Sequence, residues 1–255
     1  MSDSRSKMPV RRLPTLLFSL CLAASTALAD TLPLPADLTP FTSADGEKLL
    51  FESNALEAYF PLSIHFVTQR TQAYCGVASM VMVLNALNVP APSTPEYEPY
   101  HTFTQDNVLD ERTDAVLPRD LLPHRGMTLD QLGAMLALHP VSVEVHHAAD
   151  GGLEVFRAAA SAALGAKDHF VIVNYLRTAL GQQTYGHISP LAAYDAKADR
   201  FLILDVARYK YPPVWVKASE LFDAMNTPDP SNAGKTRGYV LVAKAAADAA
   251  APPAK

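Results

Sequence analysis

Between His169 and Val206 the chain runs through three apolar segments, His169–Leu176, Tyr185–Tyr194 and Arg200–Val206, joined by connections only a few residues long. These segments read as antiparallel strands. Ala196-Lys197-Ala198-Asp199 reads as the turn of the second hairpin. Earlier in the chain the period changes. From Cys75, residues Val77, Val81, Leu84 and Leu87, with Met80 beside them, repeat at helical spacing until Pro90 and Pro92 stop the pattern. Met127 to Leu138 predicts an amphipathic helix with Thr128 suited to its N-cap, and Leu153 to Leu164 another. Val141 to His146 alternates like a strand, and residues 90–120, rich in Pro, Asp and Thr, read as a long lid or binding loop holding a short helix. Helices early and antiparallel strands late make an α+β domain.

Composition sets the frame. With 255 residues, 49% of them apolar, the chain can bury one sizeable core, and one domain is expected over residues 30–244. A net charge of −5 without a basic stripe excludes nucleic acid as a partner. Arg5, Lys7, Arg11 and Arg12 precede the apolar run LPTLLFSLCLAASTALA, which closes on Ala27-Leu28-Ala29. A positive start, a short apolar run and an A-x-A site are the parts of a secretory signal peptide, so residues 1–29 are expected to be removed and the product exported to a periplasm, without stable membrane insertion. Leu20 before Cys21 argues against a lipid-attachment cysteine. The Ala/Pro tail, residues 245–255, reads as disordered.

Cleavage would leave Cys75 as the one cysteine, which rules out an internal disulfide in the mature chain. An unpaired thiol in an oxidising compartment is reactive, paired between molecules, or a small buried hydrophobe. Its place favours reactivity: the segment Thr68–Gln72 carries no helical period, so Cys75 falls at a helix N-terminus, where free N–H groups and the macrodipole favour a thiolate. Gly76 allows close approach of a backbone or substrate.

His187, in YGHISPLAAYD, and Asp205, in RFLILDVAR, lie on facing strands. A hairpin centred on Ala196 sets His187 opposite Asp205, Ser189 opposite Ile203 and Leu191 opposite Phe201, within reach of an imidazole–carboxylate hydrogen bond. A one-residue slip would undo that register. Pro190, on the other face, needs an edge or a bulge. A cysteine at a helix start with a histidine braced by a carboxylate is the set required for nucleophilic thiol catalysis.

Three segments, TQRTQAYCGVASMVMVLNAL, YGHISPLAAYDAKADRFLILDVARYKYPPVWV and TRGYVLV, closely resemble the catalytic domain of the phytochelatin synthase family, from about Phe60 to Lys244. The resemblance implies a papain-like cysteine-protease fold, with Cys75 as nucleophile, His187 as general base and acid, Asp205 orienting it, and Gln69 joining the Cys75 N–H in an oxyanion hole. It also implies glutathione as substrate: the thiolate attacks the Cys–Gly amide, glycine leaves, and the γ-glutamylcysteinyl group passes to water or to a second glutathione. Arg237 and Asp229 match positions that take the γ-glutamyl carboxylate and ammonium, and Gly186 a position beside them. The Asp229–Arg237 spacing is one residue looser than the family pattern. Lys210 and Tyr211 read as packing at the strand end.

A cysteine-rich second domain of the plant type is not expected, and the resemblance to short members of the family, mostly glutathione hydrolases, implies that deglycination dominates over chain growth. CxxC and HExxH spacings are absent and His146-His147 is too little for a metal site, so no cofactor is expected; heavy metals would enter as glutathione thiolates. A homodimer is compatible with the sequence. Two other readings stay open: a papain-like peptidase of ordinary peptides, and a non-catalytic exported binding protein.

Overall fold

The computed structural model describes residues 31–245. The expected signal segment and the tail beyond Ala245 lie outside the described residues. Antiparallel pairing extends past the segments the pattern picks out: seven strands form one sheet, β1 (Thr39–Pro40), β2 (Val141–His147), β3 (His169–Leu176), β4 (Gly186–Asp195), β5 (Arg200–Ile203), β6 (Val214–Lys217) and β7 (Gly238–Lys244). Their order is β1-β6-β5-β4-β3-β7-β2, and every neighbouring pair is antiparallel. The α+β expectation holds, although helices and strands interleave rather than segregate. The sequence reading assigns no strand at β1 and β6, which are short and lie beside prolines, nor at β7, although its Tyr239-Val240-Leu241-Val242 run has strand character.

The helices are α1 (Ala44–Glu52), α2 (Tyr59–Ile64), α3 (Cys75–Ala86), α4 (Glu111–Val116), α5 (Leu122–Arg125), α6 (Leu129–Leu136), α7 (Gly152–Leu164) and α8 (Ala218–Met225). β3 and β4 are buried along nearly their whole length on both alternations, which requires cover on both faces of the sheet. α3 packs on β4, while α7 and α8 pack on each other and on β3.

α3 is the central helix. The apolar stripe predicts one buried face, yet every residue of α3 except Asn85 is buried. Small Gly76, Ala78 and Ser79 fill the remaining face and let neighbours approach; Ser79 Oγ donates to Cys75 O at 2.8 Å. Asn85, the one polar exception, ties down the long loop: its Nδ2 donates to Phe103 O and its Oδ1 accepts from Phe103 N, both at 2.9 Å. The loop also buttresses the segment before Cys75, since Gln105 Oε1 accepts from Arg70 N and Gln105 Nε2 donates to Thr68 O. Thr128 caps α6 as expected, in a reciprocal pair with Gln131.

The β4–β5 register differs from the expected one. Leu191 pairs with Ile203, and across a bulge Ala193 pairs with Leu202, Tyr194 with Phe201 and Asp195 with Arg200. Asp195 Oδ1 accepts from Ala198 N at 2.6 Å and Asp199 takes φ +52°, so the turn centres between Lys197 and Ala198 rather than on Ala196. The expected Ser189–Ile203 and Leu191–Phe201 pairs are therefore not made, and Asp205 lies past the end of β5. Pro190 explains where β5 ends. Its carbonyl accepts from Leu204 N, and a strand residue's N and O point the same way, so its missing N–H faces the 204–206 segment and the ladder stops there.

Gly238 stands where β7 passes β2 most closely. A Cβ on it would lie 2.0 Å from the main-chain oxygen of His146. Gly238→Ala is expected to destabilise the fold by about 2 kcal/mol or more, since backbone rather than a side chain must move; a thermal melt against the parent protein checks it.

Candidate active site

Cys75 is the first residue of α3, and Tyr74 before it offers no side-chain cap. The amides of the first turn therefore keep their donors free of intrahelical partners. Cys75 is 7% exposed and lines a cleft of ≈ 580 Å³, with Thr71, Gly126, Met127, Tyr185 and Arg237 on other walls. None of residues 90–120 lines this cleft, so the long loop is a buttress here rather than the expected lid. Burial pushes the Cys75 thiol up; the main-chain N–H groups of Ile188 and Gly76 and the Arg177 guanidinium pull it down, and Asp205 adds to the rise.

His187 is buried on β4, with Nε2 2.9 Å from Asp205 Oδ1. Ser189, two residues on and thus on the same face, places Oγ 2.9 Å from the same nitrogen and accepts from Val206 N at 3.2 Å. Nε2 is thereby committed to the carboxylate side, and Nδ1 has no protein partner among the described residues. Burial lowers the His187 pKa, Asp205 raises it, and Arg177 lowers it again. Both burial effects oppose charge separation, working against the thiolate that the helix N-terminus favours and against an imidazolium on His187.

Asp205 is wholly buried, and its carboxyl pKa is nevertheless held at about 2: burial raises it, and the His187 and Arg177 charges, with hydrogen bonds from His187 and Ala207 N, more than offset that. Ala207 N donates to Oδ1 at 2.8 Å, a local turn that aims the carboxylate. Arg177 follows β3, is 2% exposed, and sets Nη2 2.9 Å from Oδ1 and 2.8 Å from Oδ2. The His187–Asp205 contact thus exists without the strand pairing that predicts it.

Gln69 is buried, its N–H on Val206 O and its Nε2 2.8 Å from the Tyr209 hydroxyl, with Oε1 unpartnered among the described residues. It is not among the residues lining the cleft.

On the far wall, Pro228 and Thr236 bridge, so Asp229 and Arg237 stand at the neck of a tight loop. Arg237 Nη1 donates to Pro228 O at 2.7 Å and to Thr227 Oγ1 at 3.0 Å. Nη2 lies 3.9 Å from Asp229 Oδ1, and Nε has no partner among the described residues. Asp229 Oδ1 accepts from Ser231 N at 3.0 Å. Burial lowers the Arg237 pKa and Asp229 raises it. This is a buried pair on the cleft wall rather than a solvated surface pair. A Cβ at position 186 would lie 3.1 Å from Arg237 Nε and 3.4 Å from Nη2, so Gly186 keeps that edge of the guanidinium uncovered.

The cleft thus gathers Cys75, Gly186, Asp229 and Arg237, while His187 and Asp205 form the buried pair beside it. Sequence reasoning missed Arg177, Ser189 and Tyr209. Arg177 carried a readable signal: it is a lone cation within the apolar run from Phe170 to Leu180. Tyr211 does pack, as expected, with its hydroxyl accepting from Gln183 N and its ring 5.1 Å beneath Arg177 Cζ; Lys210 Nζ donates to Thr184 Oγ1 at 3.1 Å.

The family model described as phytochelatin synthase matches residues 29–239. Glutathione gamma-glutamylcysteinyltransferase 3 of Lotus japonicus is 33% identical over 226 residues, 88% of this chain and 46% of the plant protein. Glutathione gamma-glutamylcysteinyltransferase 1 of Arabidopsis thaliana is 32% identical over 227 residues, 88% of this chain and 45% of that one. The glutathione gamma-glutamylcysteinyltransferase of Schizosaccharomyces pombe is 27% identical over 212 residues, 82% and 50% of the two chains. The chain spans about half the length of the curated relatives it matches. By the extent of that match, it belongs to the phytochelatin synthase family.

Proposed function

We propose that the chain releases glycine from glutathione through a thioester on Cys75, within a papain-like arrangement of buried helix and sheet. The observation that carries this reading is the pairing, in one cleft, of Cys75 with an Arg237 edge left open by Gly186 and flanked by Asp229. A γ-linked glutamate carries a free α-carboxylate and a free α-ammonium on one carbon. Arg237 Nε and Nη2 form the parallel donors a carboxylate takes, and Asp229 Oδ2, with no protein donor among the described residues, suits the ammonium.

In this reading the Cys75 sulfur attacks the carbonyl carbon of the substrate's cysteine while His187 Nδ1 takes the thiol proton. Asp205 holds the ring by Nε2 and stabilises the imidazolium. The Cys75 N–H, at the helix start, faces the developing oxyanion. Gln69 adds a donor when its amide turns so that Tyr209 O–H donates to Oε1 and Nε2 is free; the tyrosine hydroxyl serves either orientation. The C–N bond breaks and the imidazolium proton leaves on glycine. Water, or the α-amine of a second glutathione, then opens the thioester, giving γ-glutamylcysteine or a lengthened chain and restoring the thiol. Hydrolysis is the dominant outcome in this proposal.

The test is free glycine from glutathione, compared with an α-linked Glu-Cys-Gly tripeptide. Glutathione is expected to win by about 10²-fold or more, because the α-linked peptide uses up the carboxylate that Arg237 would bind; equal turnover refutes the γ-glutamyl reading. Arg237→Gln is expected to raise KM for glutathione by about 10–100-fold, with a smaller fall in kcat, in steady-state glycine assays.

A further inference from the structure

We propose that Arg177 is a positioning residue of the reaction: it fixes the Asp205 carboxylate for His187, and its charge sets the proton balance between His187 and Cys75. This rests on the roles given to Cys75 and His187 above.

The geometry is that of a built site. One guanidinium nitrogen straddles both carboxylate oxygens at 2.9 and 2.8 Å. Nη1 is taken by Gln182 Oε1 at 2.6 Å. Tyr211 and Tyr175 lie under the plane, 5.1 and 6.0 Å from Cζ. The main chain is locked as well: Arg177 N donates to Tyr185 O, and Arg177 O accepts from Gln182 N at 3.0 Å. A buried cation is costly unless paired and hydrogen-bonded. Here its partner is the very carboxylate that meets His187, and Asp205 Oδ1 receives Arg177 Nη2, Ala207 N and His187 Nε2 together. With three donors converging, the carboxylate has one orientation.

The charged and titratable groups around Arg177 are Asp205, His187, Cys75, Tyr175, Tyr211 and Lys210. A fixed positive charge there favours an anion on the Cys75 sulfur and disfavours a cation on His187. Removing it has two consequences of the same sign. The thiolate needs higher pH to form, and the imidazolium survives to higher pH. The pH profile of Cys75 reactivity is displaced upward. A cation with a merely structural role would lower the melting temperature and leave that profile in place.

The decisive measurement is the rate of Cys75 alkylation by iodoacetamide against pH, read at the Cys75 peptide by mass, alongside glycine release. For Arg177→Gln the expected displacement is about one pH unit upward, with kcat for glycine release down about 10²-fold and KM within about threefold. Arg177→Lys, which keeps the charge and loses the fork, is expected to recover about tenfold of that rate, stay about tenfold below the parent in kcat, and keep most of the parent profile. Two results overturn the proposal: an Arg177→Gln alkylation profile that superimposes on the parent, or loss of transfer to a second glutathione with hydrolysis intact, which would put Arg177 on the acceptor. Should the glutamine variant not fold, the lysine variant decides, since an unchanged kcat there contradicts the positioning role. If the parent protein releases no glycine, the glutathione reading fails, and the alkylation profile still answers for Arg177.

Discussion

Cys75→Ser is expected to remove glycine release from glutathione by at least about 10³-fold while leaving the fold intact. Sulfur and oxygen are close in size, and the residue is already buried at the head of α3, so the melting temperature should stay within a few degrees. The chemistry changes far more than the packing. A serine hydroxyl is a much weaker acid than a thiol, and the base beside it is an imidazole whose basicity burial has lowered. Nothing at the head of α3 compensates for that gap: the Gly76 and Ile188 amides stabilise an anion once formed but take no proton. Glycine assays paired with thermal melts separate the two effects. Substantial glycine release from the serine variant would remove Cys75 from the chemistry.

Asp205→Asn should damage both stability and turnover. The carboxylate is the partner of a guanidinium with almost no solvent contact, and breaking a buried ion pair from one side costs about 3–5 kcal/mol. For a domain of this size that is a fall in melting temperature of roughly 10 °C. The amide also inverts the hydrogen bond to His187: an NH₂ group facing Nε2 forces the ring proton to Nδ1, the nitrogen assigned to receive the thiol proton. A loss of about 10³–10⁴ in kcat follows. The pH dependence is equally specific. The folded Asp205 pKa is depressed from 3.8 to about 2, so the folded state binds this proton less readily than the unfolded chain. Its stabilisation, about 2 kcal/mol, is complete above pH 3.8 and is lost as the pH falls toward about 2. His187 acts in the same sense at higher pH, since a base kept neutral by burial must accept a proton on unfolding. Urea titrations across this acid range should show the gap between parent and Asp205→Asn narrowing as the pH drops. A gap that stays constant would mean that the Asp205 charge carries none of the stability.

What was legible in the sequence had a local cause. The α3 start could be placed because a period begins at Cys75, and the α6 cap because Thr128 stands just before an amphipathic period. Strands β3 and β4 were visible as apolar runs bounded by turn residues. The β4–β5 register was not legible, because it depends on where Asp195 caps the turn and on a bulge beside Ala193. Neither leaves a periodic signature. The His187–Asp205 contact survived that error because Pro190 ends the ladder and frees Asp205 to turn toward the ring. Arg177 was overlooked for a different reason: its place in an apolar run is readable, but its role depends on a carboxylate partner 28 residues on, which the run does not reveal. The resting proton balance is not legible either, because a helix N-terminus favours a thiolate while burial opposes it, and only coordinates reveal how deep the sulfur lies.

The most direct test of the account is to quench the protein in acid during turnover with glutathione and weigh the Cys75 peptide. The expected product is a γ-glutamylcysteinyl group on the sulfur, lacking glycine, cleaved by hydroxylamine and resistant to reduction without an added nucleophile. Glycine accumulating while Cys75 stays unmodified, or a Cys75 adduct that retains glycine and is released by a disulfide reductant, would contradict it.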